Sequence, residues 1–191
     1  MGRLCAFAQM DLSPMAVIAA ALNDPERVLA EHDFIVSKTD TKGRITYGNR
    51  LFTEYAGYSE QEYLGKNHNL IRHPDMPRAV FKLLWDRISA GQEVFAFVKN
   101  RCKLGGHYWV YANVTPSYDA NGQIIGYYSV RRQPNPRVLT QVAALYRQML
   151  QIEKDAASPR EGMAQSLAWL LAQAQAQGQD YDSFVMALQR A

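Results

Sequence analysis

The chain has 191 residues, a formal net charge of +3 and only two cysteines, Cys5 and Cys102. Because the basic residues do not form one long run, a nucleic-acid partner is not expected. The cysteines lie far apart with no CxxC spacing, which argues against a zinc site or a disulfide framework and fits a reducing cytosol.

Membrane and export signals are weak. The longest apolar run, Met15 to Leu22, is much shorter than the ~20 residues that a membrane-spanning helix needs. The early sequence has no long apolar core of the kind found in signal peptides. We therefore expect a soluble cytoplasmic protein with no membrane span. We expect an N-terminal helical cap in residues 1–33, a central domain in residues 34–134 and C-terminal helices in residues 135–191.

The N-terminal region contains two helix-start signals. Ser13-Pro14 and Asp24-Pro25 each have the form of a cap followed by proline at the first helical position. The alanine-rich run from Ala16 to Leu22 would give such a helix an apolar face. We expect that face to cover part of a sheet.

A β-hairpin is predicted to open the central domain. Phe34 to Thr39 is a strand, Asp40 to Gly43 is a turn, and Ile45 to Tyr47 is the returning strand. Asn49 then caps a short helix, and the Ser59–Glu62 capping box begins a further helical turn.

The stretch from Asn67 to Pro77 is the densest in polar chemistry, with two histidines, Arg72, Asp75 and two prolines. It precedes a predicted helix over Arg78–Ala90. Asp75 lies just before that helix, so its carboxylate is expected to accept the free amides of the first turn.

Three strands follow, over Val94–Lys103, His107–Pro116 and Ile124–Arg132. In the first of these, alternation places Lys99 on the face opposite Asn100, where we expect a surface charge. With the hairpin, these strands predict an α+β fold. A five-stranded antiparallel sheet would carry short helices on one face and a small cavity between the layers.

The C-terminal region is predicted to be helical. Apolar residues from Val138 to Ile152 recur at spacings of four and three, which makes a two-heptad seam. Such a short seam is marginal alone, so it needs a partner chain or its own sheet. Ser158-Pro159 begins a second helix, and a third runs from about Tyr181 to Arg190. We expect this region to serve output or dimerisation.

Two groups of motifs resemble a known family. Thr39 to Ile45, followed by Asn49, resembles the opening of a PAS sensory domain. Leu70 to Pro77, then Val98 to Arg101 and His107 to Val110, resembles the PAS domain of the bacterial aerotaxis receptors.

This resemblance, over about residues 34–134, implies a PAS fold that holds FAD non-covalently as a redox or oxygen sensor in aerotaxis or energy taxis. In that family, positions matching Arg72, His73, Asp75 and Asn49 are implicated in holding the cofactor. We expect the chain to pass its signal to a chemotaxis receptor or another signalling protein, or through its own homodimer.

Side-chain chemistry adds candidates for the flavin site. Arg72 offers a forked pair of donors to a pyrophosphate, and His73 offers a donor whose charge depends on pH. Asn100 offers a donor and an acceptor to the imide edge of a flavin ring, and Asn49 could do likewise or cap its helix. Aromatic residues more often form plain core, but four are candidates for the ring walls: Phe81, Trp85, Trp109 and Tyr111.

A mechanism follows from this assignment. Reduction changes the protonation of a flavin ring nitrogen, so a neighbouring amide or hydroxyl must switch its hydrogen bond. A lost buried hydrogen bond costs ~1–3 kcal/mol. The Pro134-Asn135-Pro136 joint would carry the change into the first C-terminal helix.

Two alternatives stay open. His68 or His73 could ligate a heme iron. A cofactor-free PAS module could instead dimerise through residues 138–152, with its interior filled by Phe and Trp side chains. Otherwise His68 and His107 are expected to be ordinary polar positions. No nucleophile–base pair or metal constellation stands out, so neither an enzyme nor a metal site is expected.

Overall fold

The computed structural model describes residues 24–191. Five strands form one antiparallel sheet in the order β2-β1-β5-β4-β3. Their bounds are β1 Ile35–Thr39, β2 Ile45–Gly48, β3 Val94–Arg101, β4 His107–Tyr118 and β5 Ile124–Arg132. The predicted α+β fold with a five-stranded antiparallel sheet is confirmed.

The helices form two groups. Between β2 and β3 lie α1 Arg50–Ala56, α2 Glu60–Tyr63, a 3-10 helix His68–Ile71 and α3 Arg78–Ser89. After β5 come a 3-10 helix Pro136–Val138, α4 Leu139–Asp155, α5 Pro159–Gln175 and α6 Tyr181–Arg190. The first group covers the inner face of the sheet, and the second packs against the outer face and α3. Within residues 24–191, every helix is too short or too polar to cross a membrane.

Alternation along the strands gives the sheet two distinct faces. On β4, Ala112 and Val114 face the inner layer, whereas Trp109 packs against Tyr146 of α4 on the outer side. Helices cover both faces of β3 and of the first half of β4, so residues on both sides of these strand segments are buried. This is why the two strands read as nearly continuous apolar runs.

The helix signals between β2 and β3 act as predicted. Asn49 Oδ1 accepts a hydrogen bond from Phe52 N at 3.0 Å and begins α1, and the Ser59–Glu62 capping box begins α2. In the β1–β2 turn, Gly43 has φ +74°, and a Cβ there would lie 2.9 Å from the ring of Trp85. Glycine is therefore required both by the backbone conformation and by the close approach of α3.

The N-terminus of α3 is not capped by Asp75, so that prediction was wrong. The first amides of α3, Arg78 N and Ala79 N, donate to the carboxylate of Glu153 on α4 at 3.0 and 2.9 Å. Asp75 instead accepts from Lys99 Nζ at 2.8 Å. Glu153 lies 75 residues from Arg78 along the chain, which is why no local pattern identified it.

The apolar seam of α4 packs within the chain. Val142 and Met149 are buried, and Tyr146 Oη donates to the Phe97 carbonyl at 2.7 Å. The seam therefore packs against the sheet of its own chain and against α5. A short seam was expected to need either a partner chain or its own sheet, and the structure shows the second.

The helix predicted to begin at Asp24-Pro25 is not present, so that prediction was also wrong. His107 N donates to Pro25 O at 3.0 Å, and Arg27 N donates to His107 O at 2.7 Å. These bonds pair residues 25–27 with the start of β4, because backbone groups paired with a strand cannot also pair within a helix. The predicted Ser13-Pro14 helix and the Ala16–Leu22 face lie outside the described residues.

Lys99 was expected to be a surface charge, but the residue is only 8% exposed. It does face away from Asn100, as alternation predicts. Its ammonium is enclosed there by Asp24 and Asp75, at 3.3 and 2.8 Å. The expectation failed because the outer face is covered at this point and does not meet solvent.

Replacing Glu153 with alanine should lower the free energy of unfolding by about 1 kcal/mol, because α3 loses the carboxylate that accepts its first two amides. Chemical denaturation measures this change. Gln151→Ala is the control, since Gln151 is exposed on the same helix, and it should change stability by less than about 0.5 kcal/mol. Equal effects of the two substitutions would contradict the cap.

Candidate functional site

A cavity of about 760 Å³ lies between the inner face of the sheet and the helices that precede β3. Its floor comes from β1, β3, β4 and β5. Its walls come from the β1–β2 turn, the 3-10 helix His68–Ile71 and α3, and Met163 of α5 also borders it. This volume is within the range of small-molecule sites. The interior is therefore hollow and is not filled by Phe and Trp side chains.

The described residues around the cavity carry positive charge only. Five basic side chains line it: Lys42, Arg72, Arg78, Lys82 and Arg131. Among residues 24–191, neither Asp nor Glu lines it. A concave site lined by one sign of charge concentrates ligands of the opposite sign. This cavity therefore favours an anion.

Arg131 on β5 is the most deeply buried of these cations, at 3% exposed. Its Nη2 donates to the Ser37 hydroxyl and lies 3.0 Å from His68 Nε2, while Nε donates to Ser129 Oγ at 3.1 Å. No carboxylate of the described chain pairs with it, and Nη1 has no hydrogen-bond partner there. Burial lowers the pKa of Arg131 to about 10, so the guanidinium is still charged at neutral pH. An acceptor placed beside Nη1 would lower the cost of burying this charge.

His68 is neutral at physiological pH. Burial, and then the charge of Arg131, lowers the pKa of His68 to about 3. Because a guanidinium only donates, His68 Nε2 accepts from Arg131 and the ring proton lies on Nδ1. The Ser37 hydroxyl lies 3.1 Å from the same Nε2. Ser37, His68 and Arg131 thus form one polar network on the cavity wall, called the Arg131 network below.

Asn100 on β3 supplies a second unused donor. The residue is 4% exposed and lines the cavity, and its Nδ2 has no hydrogen-bond partner in the described chain. An unsatisfied buried donor costs about 1–3 kcal/mol. Such a group in a native structure often marks an ion, a water or a ligand. Two such donors on residues that line one cavity point to a ligand with hydrogen-bond acceptors.

Arg72, beside Asn100, and α3 form a further part of the cavity lining. The Arg72 guanidinium lies 4.3 Å from the ring centroid of Phe81 and donates to Met76 O at 2.8 Å. Burial lowers the pKa of Arg72. Trp85 packs edge-to-face on Tyr127, with ring centroids 5.5 Å apart. The structure therefore places four of the sequence-derived candidates around one cavity: Arg72, Phe81, Trp85 and Asn100.

Trp109 and Tyr111, also considered as ring walls, lie on the outer face of the sheet. Trp109 and Tyr146 have ring centroids 6.1 Å apart, and Tyr111 stacks on Phe95 at 5.6 Å. The pleat decides this, since their neighbour Ala112 faces the cavity. Both rings belong to the core between the sheet and the C-terminal helices.

Asn49 also lies outside the cavity lining. Besides capping α1, its Oδ1 accepts from Val36 N at 3.1 Å, and its Nδ2 donates to Phe34 O at 2.8 Å. The side chain of Asn49 therefore caps α1 and also joins α1 to β1. The cap is the structural alternative to cofactor binding that the sequence offered.

His73 and Asp75 lie in a separate charged cluster outside the cavity lining. Lys99 Nζ is 2.8 Å from Asp75 Oδ2 and 3.3 Å from Asp24 Oδ2. His73 Nε2 and His107 Nδ1 lie 3.3 and 2.9 Å from that same Asp24 oxygen. These five residues are called the Asp24 cluster below.

The sequence interpretation missed the Arg131 network. A signal for Arg131 was available, since it follows Tyr127 and Ser129 at a spacing of two on a predicted strand and must share their face. Ser37 and His68 carried no such signal. Ser37 reaches Arg131 only because β1 pairs with β5, a contact between segments far apart in the chain.

Acid should destabilise the protein through His68. Its folded pKa of about 3 lies below the ordinary value of 6.5, so the unfolded chain binds more protons between these values. The free energy of unfolding should therefore fall as the pH drops from about 6.5 towards 3, by up to about 1.4 kcal/mol per pH unit. Denaturation curves from pH 7 to 4 should show a shallower fall for His68→Gln.

The control for this experiment is His32→Gln, because His32 is exposed and should leave the wild-type pH slope unchanged. If wild type and His68→Gln lose stability equally with acid, His68 is not the buried neutral group described above.

Comparisons with known proteins place residues 45–131 in the family described as the PAS fold. The aerotaxis receptor of Escherichia coli strain K12 is 40% identical over 119 residues, which are 62% of this chain and 23% of the relative. A nitrogen fixation regulatory protein of Klebsiella pneumoniae is 29% identical over 97 residues, 51% of this chain and 20% of the relative. The chain thus spans less than a quarter of the length of these relatives.

A similar solved structure is a light-oxygen-voltage domain studied with a flavin analogue. It superposes with a TM-score of 0.51 at 18% identity, over 60% of this chain and 86% of that chain. This likeness concerns the fold, and it agrees with the sheet and the helices between β2 and β3 described above. The family match and the observed fold together show that residues 45–131 form a PAS domain.

Proposed function

We propose that this PAS domain is a redox- or oxygen-responsive sensor that binds a flavin, FAD, non-covalently in the cavity and relays its state through the C-terminal helices. One observation carries the proposal. The hollow of about 760 Å³ is ringed by basic side chains, and two of its lining residues, Arg131 and Asn100, keep buried donors with no protein partner in the described chain. An anionic ligand with several acceptors would complete such a site.

The residues around the cavity fit the parts of a flavin dinucleotide. Arg72 and Arg78 bring positive charge for the pyrophosphate, and arginine can bind phosphate with paired donors. Lys82 is already paired with Asp86 at 2.6 Å. Asn100 and Arg131 would donate to the oxygens and nitrogens of the ring edge. Apolar and aromatic side chains of α3 and β3 would wall the ring faces.

The relatives support signal sensing. One is named a receptor and the other a regulatory protein, and neither name describes an enzyme. The motif resemblance to aerotaxis receptors implies FAD. We therefore propose a non-enzymatic sensor that acts in aerotaxis or energy taxis.

The Arg131 network is the part of the chain best suited to respond to the ligand. A bound flavin would supply reversible uptake of electrons and protons. The Ser37 hydroxyl can rotate between His68 and a new partner, whereas Arg131 holds a fixed charge beside it. A buried hydrogen bond gained or lost there is worth about 1–3 kcal/mol. That energy shifts an equilibrium between two conformations by about 5- to 150-fold.

Helix α3 connects the cavity to the output helices. Phe81 and Trp85 of α3 line the cavity. The same helix is capped by Glu153 of α4, and its Arg87 pairs with Asp182 of α6 at 2.5 Å. A ligand-dependent displacement of α3 would therefore change contacts with two C-terminal helices. This route would act together with the Pro134-Asn135-Pro136 joint.

We further propose that the C-terminal helices contact a chemotaxis receptor or another signalling protein in the cytoplasm, and that the protein acts as a homodimer. The seam of α4 is packed inside the protomer through Val142 and Met149. A dimer through residues 138–152 would therefore use the exposed side of this helix or require the seam to leave the sheet.

Heme has less support than a flavin. Of the two histidines considered as iron ligands, His73 lies outside the cavity lining, and His68 Nε2 is 3.0 Å from the Arg131 guanidinium. A fixed positive charge in contact with the ligating nitrogen opposes coordination of an iron cation.

Absorbance spectroscopy tests the proposal. Wild-type protein incubated with FAD and desalted should show a flavin spectrum that dithionite bleaches. Arg131→Met should weaken FAD binding by about 10- to 100-fold, since a buried hydrogen bond to a charged group is worth about 1.5–3 kcal/mol. Arg132→Met is the matched control. Arg132 is exposed on the outer face, 5.2 Å from the Tyr111 ring centroid, and its loss should leave FAD binding unchanged.

A second pair of variants tests the other unused donor. Asn100→Ala should weaken FAD binding by about 10-fold, because the ligand loses the Nδ2 donor. Asn113→Ala removes an amide from the outer face of the neighbouring strand, where it bonds to Glu93 at 3.1 Å, and should bind FAD as wild type does. Wild-type protein that retains no flavin, or that gives a Soret band with heme, would overturn the proposed function.

A further inference from the structure

The Asp24 cluster is joined to the cavity through two pairs of adjacent residues. Arg72 and Asn100 line the cavity, and their chain neighbours His73 and Lys99 belong to the cluster. Arg72 and Asn100 form an antiparallel bridge, and His73 N donates to Lys99 O at 3.3 Å. Each cavity residue is thus the chain neighbour of a cluster residue. A movement of the cluster would reach Arg72 through His73 and Asn100 through Lys99, across one peptide bond in each case.

Lys99 lies at the centre of the cluster. Its ammonium is nearly enclosed and contacts two carboxylates from different segments, Asp75 at 2.8 Å and Asp24 at 3.3 Å. A buried cation that loses its partners is strongly destabilising. Lys99 therefore holds the segment of Asp75 and the segment of Asp24 against the same point on β3.

His73 has a defined tautomer. Asp75 N donates to His73 Nδ1 at 3.1 Å, so the proton of the neutral ring lies on Nε2, which is 3.3 Å from Asp24 Oδ2. Burial, and then the charge of Lys99, lowers the pKa of His73, which agrees with a neutral ring. His107 Nδ1 lies 2.9 Å from the same oxygen, without the alignment of a hydrogen bond.

The backbone of Asp24 is held in an unfavourable conformation. Its φ is +30°, and no other non-glycine residue of the described chain has a positive φ. This region of backbone space is unfavourable for most side chains and persists only when surrounding contacts impose it. The contacts are the pairing of Pro25 and Arg27 with His107 and the cluster around the Asp24 carboxylate.

Asp24, His73 and His107 also offer three potential metal ligands within 4.8 Å of one another. Two features oppose a metal. The Lys99 ammonium lies 3.3 Å from the shared Asp24 oxygen, and His73 Nε2 carries the proton that a metal ligand must lose. The geometry therefore favours an ion network over a metal centre.

We propose that the Asp24 cluster is a clamp that positions the ligand site. His73, Asp75 and Lys99 are positioning residues that hold Arg72 and Asn100 at the cavity wall without touching the ligand. Asp24 ties the segment before the sheet to the same point. This inference rests on the proposed flavin function, and it gives His73 and Asp75, which lie outside the cavity lining, a role that needs no contact with the ligand.

Amide hydrogen exchange of the ligand-free protein tests the clamp independently of any flavin. Lys99→Met should speed exchange of the amides of His73, His107 and Arg27 by about 10-fold or more, because their hydrogen bonds join the segments that Lys99 holds together. Lys99→Arg keeps the charge and should restore most of the protection. Arg132→Met removes an exposed cation from the outer face of β5, away from the cluster, and is the control. Unchanged exchange at these amides in Lys99→Met would overturn the clamp.

Flavin affinity separates positioning from direct contact. Lys99→Met and Asp75→Asn should each weaken FAD binding by about 10-fold. Because both act through one ion pair, the double variant should bind FAD about as tightly as the single variant with the lower affinity. Fully additive losses would indicate independent contacts with the ligand and would overturn the clamp. If wild type takes up no FAD, the proposed function fails. The hydrogen-exchange experiment alone then decides whether the Asp24 cluster acts as a clamp.

Calorimetric titration with Zn²⁺ decides between the clamp and a metal site. No stoichiometric uptake of Zn²⁺ is expected, because Lys99 already neutralises the Asp24 carboxylate. One-to-one uptake that is lost in His73→Asn would overturn the ion network and assign a metal site to this cluster instead.

Discussion

A buried arginine with no carboxylate partner among residues 24–191 determines what the centre of this domain can hold. Arg131 lies among Ser37, His68 and Ser129, which are neutral groups, and it remains charged at neutral pH although burial lowers its pKa. Removing a cation from water costs several kcal/mol, and hydrogen bonds to neutral groups offset only part of that cost. An acceptor with negative charge would offset much of the rest. The other basic side chains around the cavity add to the same preference.

The sheet serves two purposes because its two faces are both covered. The inner face of β3 presents Asn100 to the cavity, while the carbonyls of Phe95 and Phe97 on the same strand accept hydrogen bonds from Tyr181 and Tyr146 of the C-terminal helices. Helix α3 likewise lines the cavity and packs against the C-terminal helices. The cavity and the C-terminal helices thus share two elements, β3 and α3, so a signal of the proposed kind would need no long path between them.

Local signals in the sequence identified most secondary-structure elements, and the errors have a common origin. The capping box, the Asn49 cap, the turns and the strand alternation depend on residues a few positions apart, and they were correct. The failures concerned Asp75, Asp24-Pro25 and Lys99. In each case a partner from a distant segment decided the outcome: Glu153 replaced Asp75 as the cap, β4 paired with residues 25–27, and two carboxylates enclosed Lys99.

The sequence by itself determined the order of strands and helices and which side chains share a face, because hydrogen bonding within an element and the pleat of a strand act over short chain distances. Motifs and alternation also selected Arg72 and Asn100, which do line the cavity. Only the tertiary structure decided which charges are paired. In the part of the chain that the structure describes, Arg131 has no acid beside it and Lys99 has two. Electrostatic and desolvation energies depend on separation in space, and the pairing of segments far apart in the chain sets that separation.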